Sequence, residues 1–365
     1  MADQRVYIIG AGVIGHFHAA SIPFFSDAPN VELAAADLNP EARARFREQY
    51  PEARMFDDAS TMLAEPAIPD DIVVVATPVF THCELTCAAL ETGRHVLCEK
   101  PFAMNRREGE KMVALARKKN RLVGCCSGRF LGRVATQMVK DMIKSGDLGR
   151  IYHVDFINRA PRSRPGIEYQ PSSRWFLDRS KNGGGCLMDW GPYDFTSLND
   201  LLPPVRVDVC GAWMTSPTTA ADPKDIVFDV EEHVGATLKY HQQDGTVISM
   251  SYERAACFHG EPRRIAELHG SKGSLNYDWL GFPEETNKMT HYYDRDGAIQ
   301  REIISYEDKN AVPPYHKALV YFYRRVKGED VPTVLNEQAL FNFSCIRAIY
   351  DCIATGKPQT VIKGA

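Results

Sequence analysis

Up to about residue 125 the chain alternates short, almost uninterrupted apolar runs with stretches of helical period. VYIIG (6–10), VELAAAD (31–37), DIVVVATP (71–78), HVLCEKP (95–101) and RLVGCC (121–126) hold too few polar positions for strands with one wet face. They predict strands covered on both faces, as in a parallel sheet. Between them, THCELTCAALETG (81–93) and NRREGEKMVALARKKN (105–120) carry apolar residues at helical spacing. The first stops at Gly93; the second opens on Asn105 with Glu108 three residues on and closes on lysines. Strand and helix alternating in this way predict an α/β, doubly wound parallel sheet of Rossmann type.

After residue 145 the period changes. RIYHVDFINRA (150–160) and VRVDVCGAWM (205–214) alternate apolar and polar positions, and hairpins are expected at Asp244-Gly245, near Lys272-Gly273 and at Asp296-Gly297. This predicts a C-terminal α+β domain with an open, mainly antiparallel sheet. The expected boundaries are 1–124 for the doubly wound domain and 125–365 for the α+β domain. A final helix over about 336–357 is expected to pack back near the first domain.

Composition narrows the function. At 365 residues there is room for two cores, and 44% hydrophobic with 25% charged residues is the balance of a globular protein. A net charge of −4 argues against nucleic acid and anionic membrane surfaces, which ask for a concentrated positive field. No apolar run approaches the roughly 20 residues of a membrane helix. MADQRVYIIGAG enters a strand almost at once, leaving no room for a signal peptide, so a cytoplasmic protein is expected. None of the ten cysteines forms a C-x-x-C pair, and Cys83, Cys87, Cys98, Cys345 and Cys352 fall in apolar-periodic stretches. Buried thiols are expected rather than disulfides or a zinc site, and the histidines show no ligand spacing, so no metal is expected.

Gly10-Ala11-Gly12-Val13-Ile14-Gly15 is G-x-G-x-x-G between a predicted strand and a predicted helix. The first glycine suits a tight turn, the second admits a pyrophosphate and the third lets helix and strand approach. Helix N-terminal N–H groups would face the phosphates. Asp37 ends the next strand, where an acid would take the ribose 2′-hydroxyl and repel a 2′-phosphate. Leu38-Asn39-Pro40 follow it without an arginine. NAD is expected over NADP.

GGGCLMDWGPYD (183–194) places Asp189 and Tyr193 one helical turn apart behind three glycines. Lys100 stands between Glu99 and Pro101 at a strand end, where doubly wound sheets bind ligands. Together GAGVIGHFHAA, ATPVFTH (76–82), HVLCEKPF (95–102) and GGGCLMDWGPYD resemble the glucose–fructose oxidoreductase/inositol dehydrogenase (Gfo/Idh/MocA) family, with matching order and spacing along the chain. The resemblance implies cofactor contacts at Gly10, Gly12, Val13, Ile14, Gly15, Asp37, Leu38, Ala76, Thr77, Pro78, His82, Glu99 and Lys100. It also implies that Lys100 and Asp189 meet the reacting sugar hydroxyl. Most members carry a histidine four residues after the acid; here the position is Tyr193, as in a tyrosine-containing subset that includes glucose–fructose oxidoreductase.

Oxidising a secondary alcohol removes a hydroxyl proton while hydride leaves carbon for the nicotinamide. A free phenol with pKa near ~10 is a poor base at neutral pH, and a nearby ammonium would favour the phenolate. This assigns Tyr193 as acid/base, Lys100 as its activator and Asp189 as positioner. Arg129, Arg162 and Trp175 are further substrate candidates. Arg159 and Arg164, with Arg162 in NRAPRSRPG, are placed to meet a polar or anionic sugar or to lie in a solvated loop, and Tyr169 and Trp190 flank the glycine motif with Trp175. The expected substrate is a carbohydrate or polyol, and a homodimer or homotetramer is expected through the open sheet. Two alternatives stay open: a non-catalytic NAD(P)-sensing regulator, and a glycoside-cleaving enzyme with retained NAD, which would need a second acid/base near the anomeric carbon.

Overall fold

The computed structural model describes residues 4–364 apart from 26, 29, 217, 218, 220, 221, 225, 281–286 and 309–311. The chain forms two compact units, one of Met1–Arg129 with Ala311–Phe343, the other of Phe130–Asn310 with Ser344–Ala365.

In the first unit six strands, β1 (Gln4–Ile9), β2 (Val31–Ala36), β3 (Arg54–Phe56), β4 (Ile72–Val75), β5 (His95–Cys98) and β6 (Val123–Cys125), form a sheet in the order β3-β2-β1-β4-β5-β6. Every pairing is parallel. Order reverses on either side of β1, which makes the crevice beyond β1 and β4 the place for a ligand. β4 has no exposed residue, and Val6, Ile8, Ile72, Val74 and Leu97 join Phe46, Leu319 and Phe322 in one core. The runs read as doubly covered strands are buried, except for the first half of β2, where Glu32 is exposed. The helix Arg106–Lys119 starts as expected, with Asn105 Oδ1 accepting the Glu108 N–H at 3.0 Å, and it ends on Asn120 in the left-handed region. The helix Pro314–Val326 adds Leu319 and Phe322 to this core and leaves the ring of Phe322 where a Cβ on Gly124 would fall.

The second unit is built on nine strands: β7 (Ile151–Arg159), β8 (Arg206–Thr215), β9 (His233–His241), β10 (Val247–Ala255), β11 (Arg263–Gly270), β12 (Gly273–Tyr277), β13 (Lys288–Arg295), β14 (Ala298–Ser305) and β15 (Gln359–Ile362). They run in the order β14-β13-β12-β11-β7-β10-β9-β8-β15, antiparallel except for β7 with β10. The Asp-Gly hairpins form where expected: Gly245 has φ +86, and Asp296 and Gly297 have φ +54 and +75, the positive pair that a two-residue turn requires. Phe156, Leu238, Met250 and Tyr252 are buried, while His153, Asp155, Ser251 and Glu253 alternate with them on the opposite face. The helix Cys186–Leu201 meets the buried face, with Phe195 5.2 Å from the Tyr252 ring.

All ten cysteines are free, nine of them buried. No helix of the described residues is long and apolar enough to cross a membrane.

Candidate active site

The glycine loop has the geometry its sequence asks for. Gly10 sits at φ +104, and a Cβ there would fall 2.5 Å from the Ala76 carbonyl oxygen. A Cβ on Gly15 would collide with the Gly10 carbonyl, so this glycine brings helix and strand together. Gly12 differs: it is exposed at the N-cap of the helix Val13–Ala19, and a Cβ there would meet nothing within 4 Å. Space left open by protein in front of helix N–H groups fits a pyrophosphate. Val13, on the loop, and Leu38, after β2, are 62% and 81% exposed. Asp37 ties the two segments together, its Oδ2 accepting the Ala11 N–H and its Oδ1 the Asn39 N–H, both at 2.8 Å. Each oxygen keeps a second lone pair for a ribose hydroxyl. The residues present therefore fit a dinucleotide.

At the ends of β4 and β5, Ala76, Thr77 and Pro78 are half-buried, and His82 has no exposed surface. The two ring nitrogens of His82 each lie 2.9 Å from a carbonyl oxygen, those of Pro101 and Thr77, so it joins the two loops from behind. Burial pulls its pKa down against those two acceptors. Glu99 is buried, and its Oε1 accepts from His18 Nε2 at 2.8 Å and Arg129 Nη2 at 2.9 Å while Oε2 accepts the Lys100 N–H at 3.0 Å. Burial pushes its pKa up, but Arg129 and His18 outweigh it and hold the carboxyl well below the usual range. An ionised glutamate thus fixes the backbone of Lys100 and links it to the helix that follows the glycine loop. Among the described residues, His18, Glu99 and Cys126 form the one group close enough to hold a metal, with ligand atoms within 4.8 Å. The Glu99 oxygen is already shared with a guanidinium, and burial keeps the Cys126 thiol protonated, so the cluster has the chemistry of an ion pair.

In the second unit Asp189 and Tyr193 lie on the helix Cys186–Leu201, each 4% exposed. The rings of Phe130 and Trp190 stand edge-on to Tyr193 at 4.9 and 5.5 Å. Two acids that sequence reading passed over set this helix. Glu231 accepts the Gly185 N–H with both oxygens at 3.0 Å, the Leu187 N–H at 3.1 Å and the Tyr350 hydroxyl at 2.7 Å, a carboxylate at the positive end of a helix. Farther along, Asp194 is held by Arg254 through two bonds of 2.5 Å and by the Tyr252 hydroxyl at 2.8 Å. The glycines before the helix admit protein: a Cβ on Gly185 would strike the Glu231 backbone, and one on Gly184 the Tyr350 hydroxyl. Packing alone already requires these two glycines to be small.

The loop 161–182 sorts its candidates. Arg162 is exposed, and Trp175 is half-buried with its ring stacked 4.0 Å from Phe176. Arg164 has no exposed surface and is paired with Glu168 at 2.6 Å and Asp222 at 2.7 Å, so it organises the loop from inside. Arg159 is paired with Glu253 at 2.6 Å. The paired glutamates at 231 and 232, immediately before β9, were the available signal for the cap.

Residues 4–126 match the family model described as an oxidoreductase family with an NAD-binding Rossmann fold, and residues 136–276 match the GFO/IDH/MocA C-terminal domain. The chain belongs to the Gfo/Idh/MocA family. It is an NAD-binding oxidoreductase of that family. Its similar relatives include D-glucoside 3-dehydrogenase of Escherichia coli, 28% identical over 96% of each chain. Levoglucosan dehydrogenase of Pseudarthrobacter phenanthrenivorans is 27% identical over 76% of this chain and 74% of its own. Myo-inositol 2-dehydrogenase of Thermotoga maritima is 23% identical over 92% and 91%. Among solved structures, levoglucosan dehydrogenase in complex with NADH and levoglucosan superimposes with a TM-score of 0.76 over 99% of both chains at 22% identity. That likeness concerns the fold.

Proposed function

We propose that this Gfo/Idh/MocA protein oxidises a secondary hydroxyl of a sugar, cyclitol or glycoside. When bound, NAD would supply the hydride acceptor. The observation that carries the reading is the pair Asp189 and Tyr193, one turn apart, both buried, on a helix held at its start by Glu231 and beyond them by Arg254. Two polar groups in an apolar surround of Phe130 and Trp190 suit a substrate that presents hydroxyls on a hydrocarbon ring. Relatives named for levoglucosan, a glucoside and myo-inositol support that substrate class.

In this reading Tyr193 takes the hydroxyl proton, Lys100 supplies the positive charge that favours its phenolate, and Asp189 orients the hydroxyl. Gly10, Gly12, Val13, Ile14 and Gly15 cradle the pyrophosphate, Asp37 and Leu38 receive the adenosine side, and Ala76, Thr77 and Pro78 border the nicotinamide side. His82 and Glu99 support those loops from within. Arg129, Arg162 and Trp175 shape the substrate side. Residues 1–124 act as the nucleotide domain and 125–365 as the substrate domain. The face of the nine-stranded sheet bearing His153, Asp155 and Glu253 joins copies of the chain into a homodimer or homotetramer.

The test follows reduced-nicotinamide absorbance while the protein meets NAD and a panel of sugars, cyclitols and glycosides. A rise with one class is expected and names it. Silence across the panel, with NAD binding confirmed by titration, would overturn the reading.

A further inference from the structure

We infer that His18 is a positioning residue for Lys100: through Glu99 it ties the helix of the nucleotide cradle to the lysine of the reaction site, so that filling the one steadies the other. The inference rests on the reading of Lys100 as the group that activates Tyr193. All its parts lie within the first unit.

The helix Val13–Ala19 is seven residues long, and its first turn has neither a side-chain cap at Gly12 nor an acidic residue. So short a helix is marginal by itself and gains most from an anion that takes the N–H groups of that turn. His18 stands in the last turn of the same helix, and its carbonyl accepts the Ser21 N–H at 3.0 Å. What orders the first turn therefore orders His18 as well.

His18 is 1% exposed, and its Nε2 lies 2.8 Å from Glu99 Oε1. Facing a carboxylate, Nε2 is the ring nitrogen that carries the proton and donates. Nδ1 is buried and has no hydrogen-bond partner among the described residues. A buried ring nitrogen left bare costs free energy that an apolar side chain of similar size would not. Packing thus gives no reason for an imidazole here, and the bond to Glu99 does.

Glu99 passes the constraint on. Its own N–H donates to the Val75 carbonyl at 2.9 Å, so its backbone is fixed at the end of the sheet. The carboxylate is then turned by three donors: His18 Nε2 and Arg129 Nη2 on Oε1, the latter at 2.9 Å, and the Lys100 N–H on Oε2 at 3.0 Å. Without His18, Arg129 would hold Oε1 alone, and the angle at which Oε2 meets the Lys100 N–H would no longer be set. The path from cradle to lysine is two hydrogen bonds and one carboxylate long.

The test uses ADP-ribose, which carries the adenosine and the pyrophosphate but lacks the nicotinamide, and so leaves the reaction site uncovered. Hydrogen exchange of the Lys100 N–H is followed in whole protein labelled with 15N-lysine, the resonance being assigned by its loss in Lys100→Arg. Saturating ADP-ribose should slow this exchange about tenfold in the wild type. In His18→Leu, saturated in its turn, the slowing should be lost. His18→Gln, which puts an amide N–H where Nε2 stands, should restore most of it. Exchange indifferent to ADP-ribose in the wild type, or slowed as much in His18→Leu, overturns the inference. If His18→Leu does not fold, His18→Asn, whose amide ends where Nδ1 stands, takes its place with the same two outcomes. No sugar enters the experiment. Slowing that depends on His18, in a protein that oxidises no sugar, would overturn the proposed function and leave the link between cradle and lysine standing.

Discussion

Arg254 grips Asp194 through two hydrogen bonds of 2.5 Å, both side chains buried, and so fixes the rotation of the helix whose preceding residue is Tyr193. The sheet, through β10, thereby aims the phenol. Arg254→Met should lower unfolding free energy by about 3–5 kcal/mol, because Asp194 would be left as an uncompensated buried charge. Replacing both partners with apolar residues should cost less than that single change. Urea unfolding of the two single variants and the double variant checks it, and a double-variant loss equal to the sum of the two single losses would mean the pair is not coupled.

Tyr193→Phe keeps the ring against Phe130 and Trp190 and removes only the hydroxyl. Turnover should fall on the order of 10²-fold or more, with NAD affinity nearly unchanged. Steady-state kinetics beside a cofactor titration separates the two. Unchanged turnover would take the tyrosine out of the acid/base role.

Asp37→Ala removes a ribose acceptor and also the anchor of the Ala11 N–H. NAD should bind about tenfold more weakly or worse (~1.4 kcal/mol), and discrimination against NADP should relax without NADP becoming a good cofactor, since the loop itself is loosened. Competitive titration with both cofactors measures this; an unchanged preference would exclude Asp37 from cofactor choice.

The Glu99 cluster predicts an acid dependence. Because the folded pKa lies below the unfolded one, the stabilisation is complete above the unfolded value near ~4.3 and is lost as pH falls through the folded value. Stability measured by denaturant between neutrality and pH 3 should therefore decline more steeply in the wild type than in Glu99→Gln. Parallel curves would show that the carboxylate contributes no linkage.

Much of this was legible in the chain. The G-x-G-x-x-G loop, Asp37, the buried runs and the three hairpins are local events, each decided by a few neighbouring residues. Some elements escaped for physical reasons. β3 is three residues, none of them buried, and has no periodicity to read. β15 is four residues defined only by the edge of β8 that it covers. ALVYFY in the helix Pro314–Val326 is rich in β-branched and aromatic residues, and a window that short fits strand as well as helix. At the site, Asp189 and Tyr193 announce themselves by spacing, whereas the groups that hold them lie 38 to 161 positions away at Glu231, Arg254 and Tyr350. Pairings across such separations leave no local pattern.

The division of the chain bears on how it is made. Each compact unit is sewn from two stretches, and both second stretches come from residues 311–365. The six-stranded unit lacks the helix Pro314–Val326, and the nine-stranded unit lacks β15 and the tyrosine that meets Glu231, until that part has been synthesised. When the chain emerges first end first, each unit therefore stays one segment short of its final composition until residues 311–365 have been made. Both units take their last piece from the same late stretch.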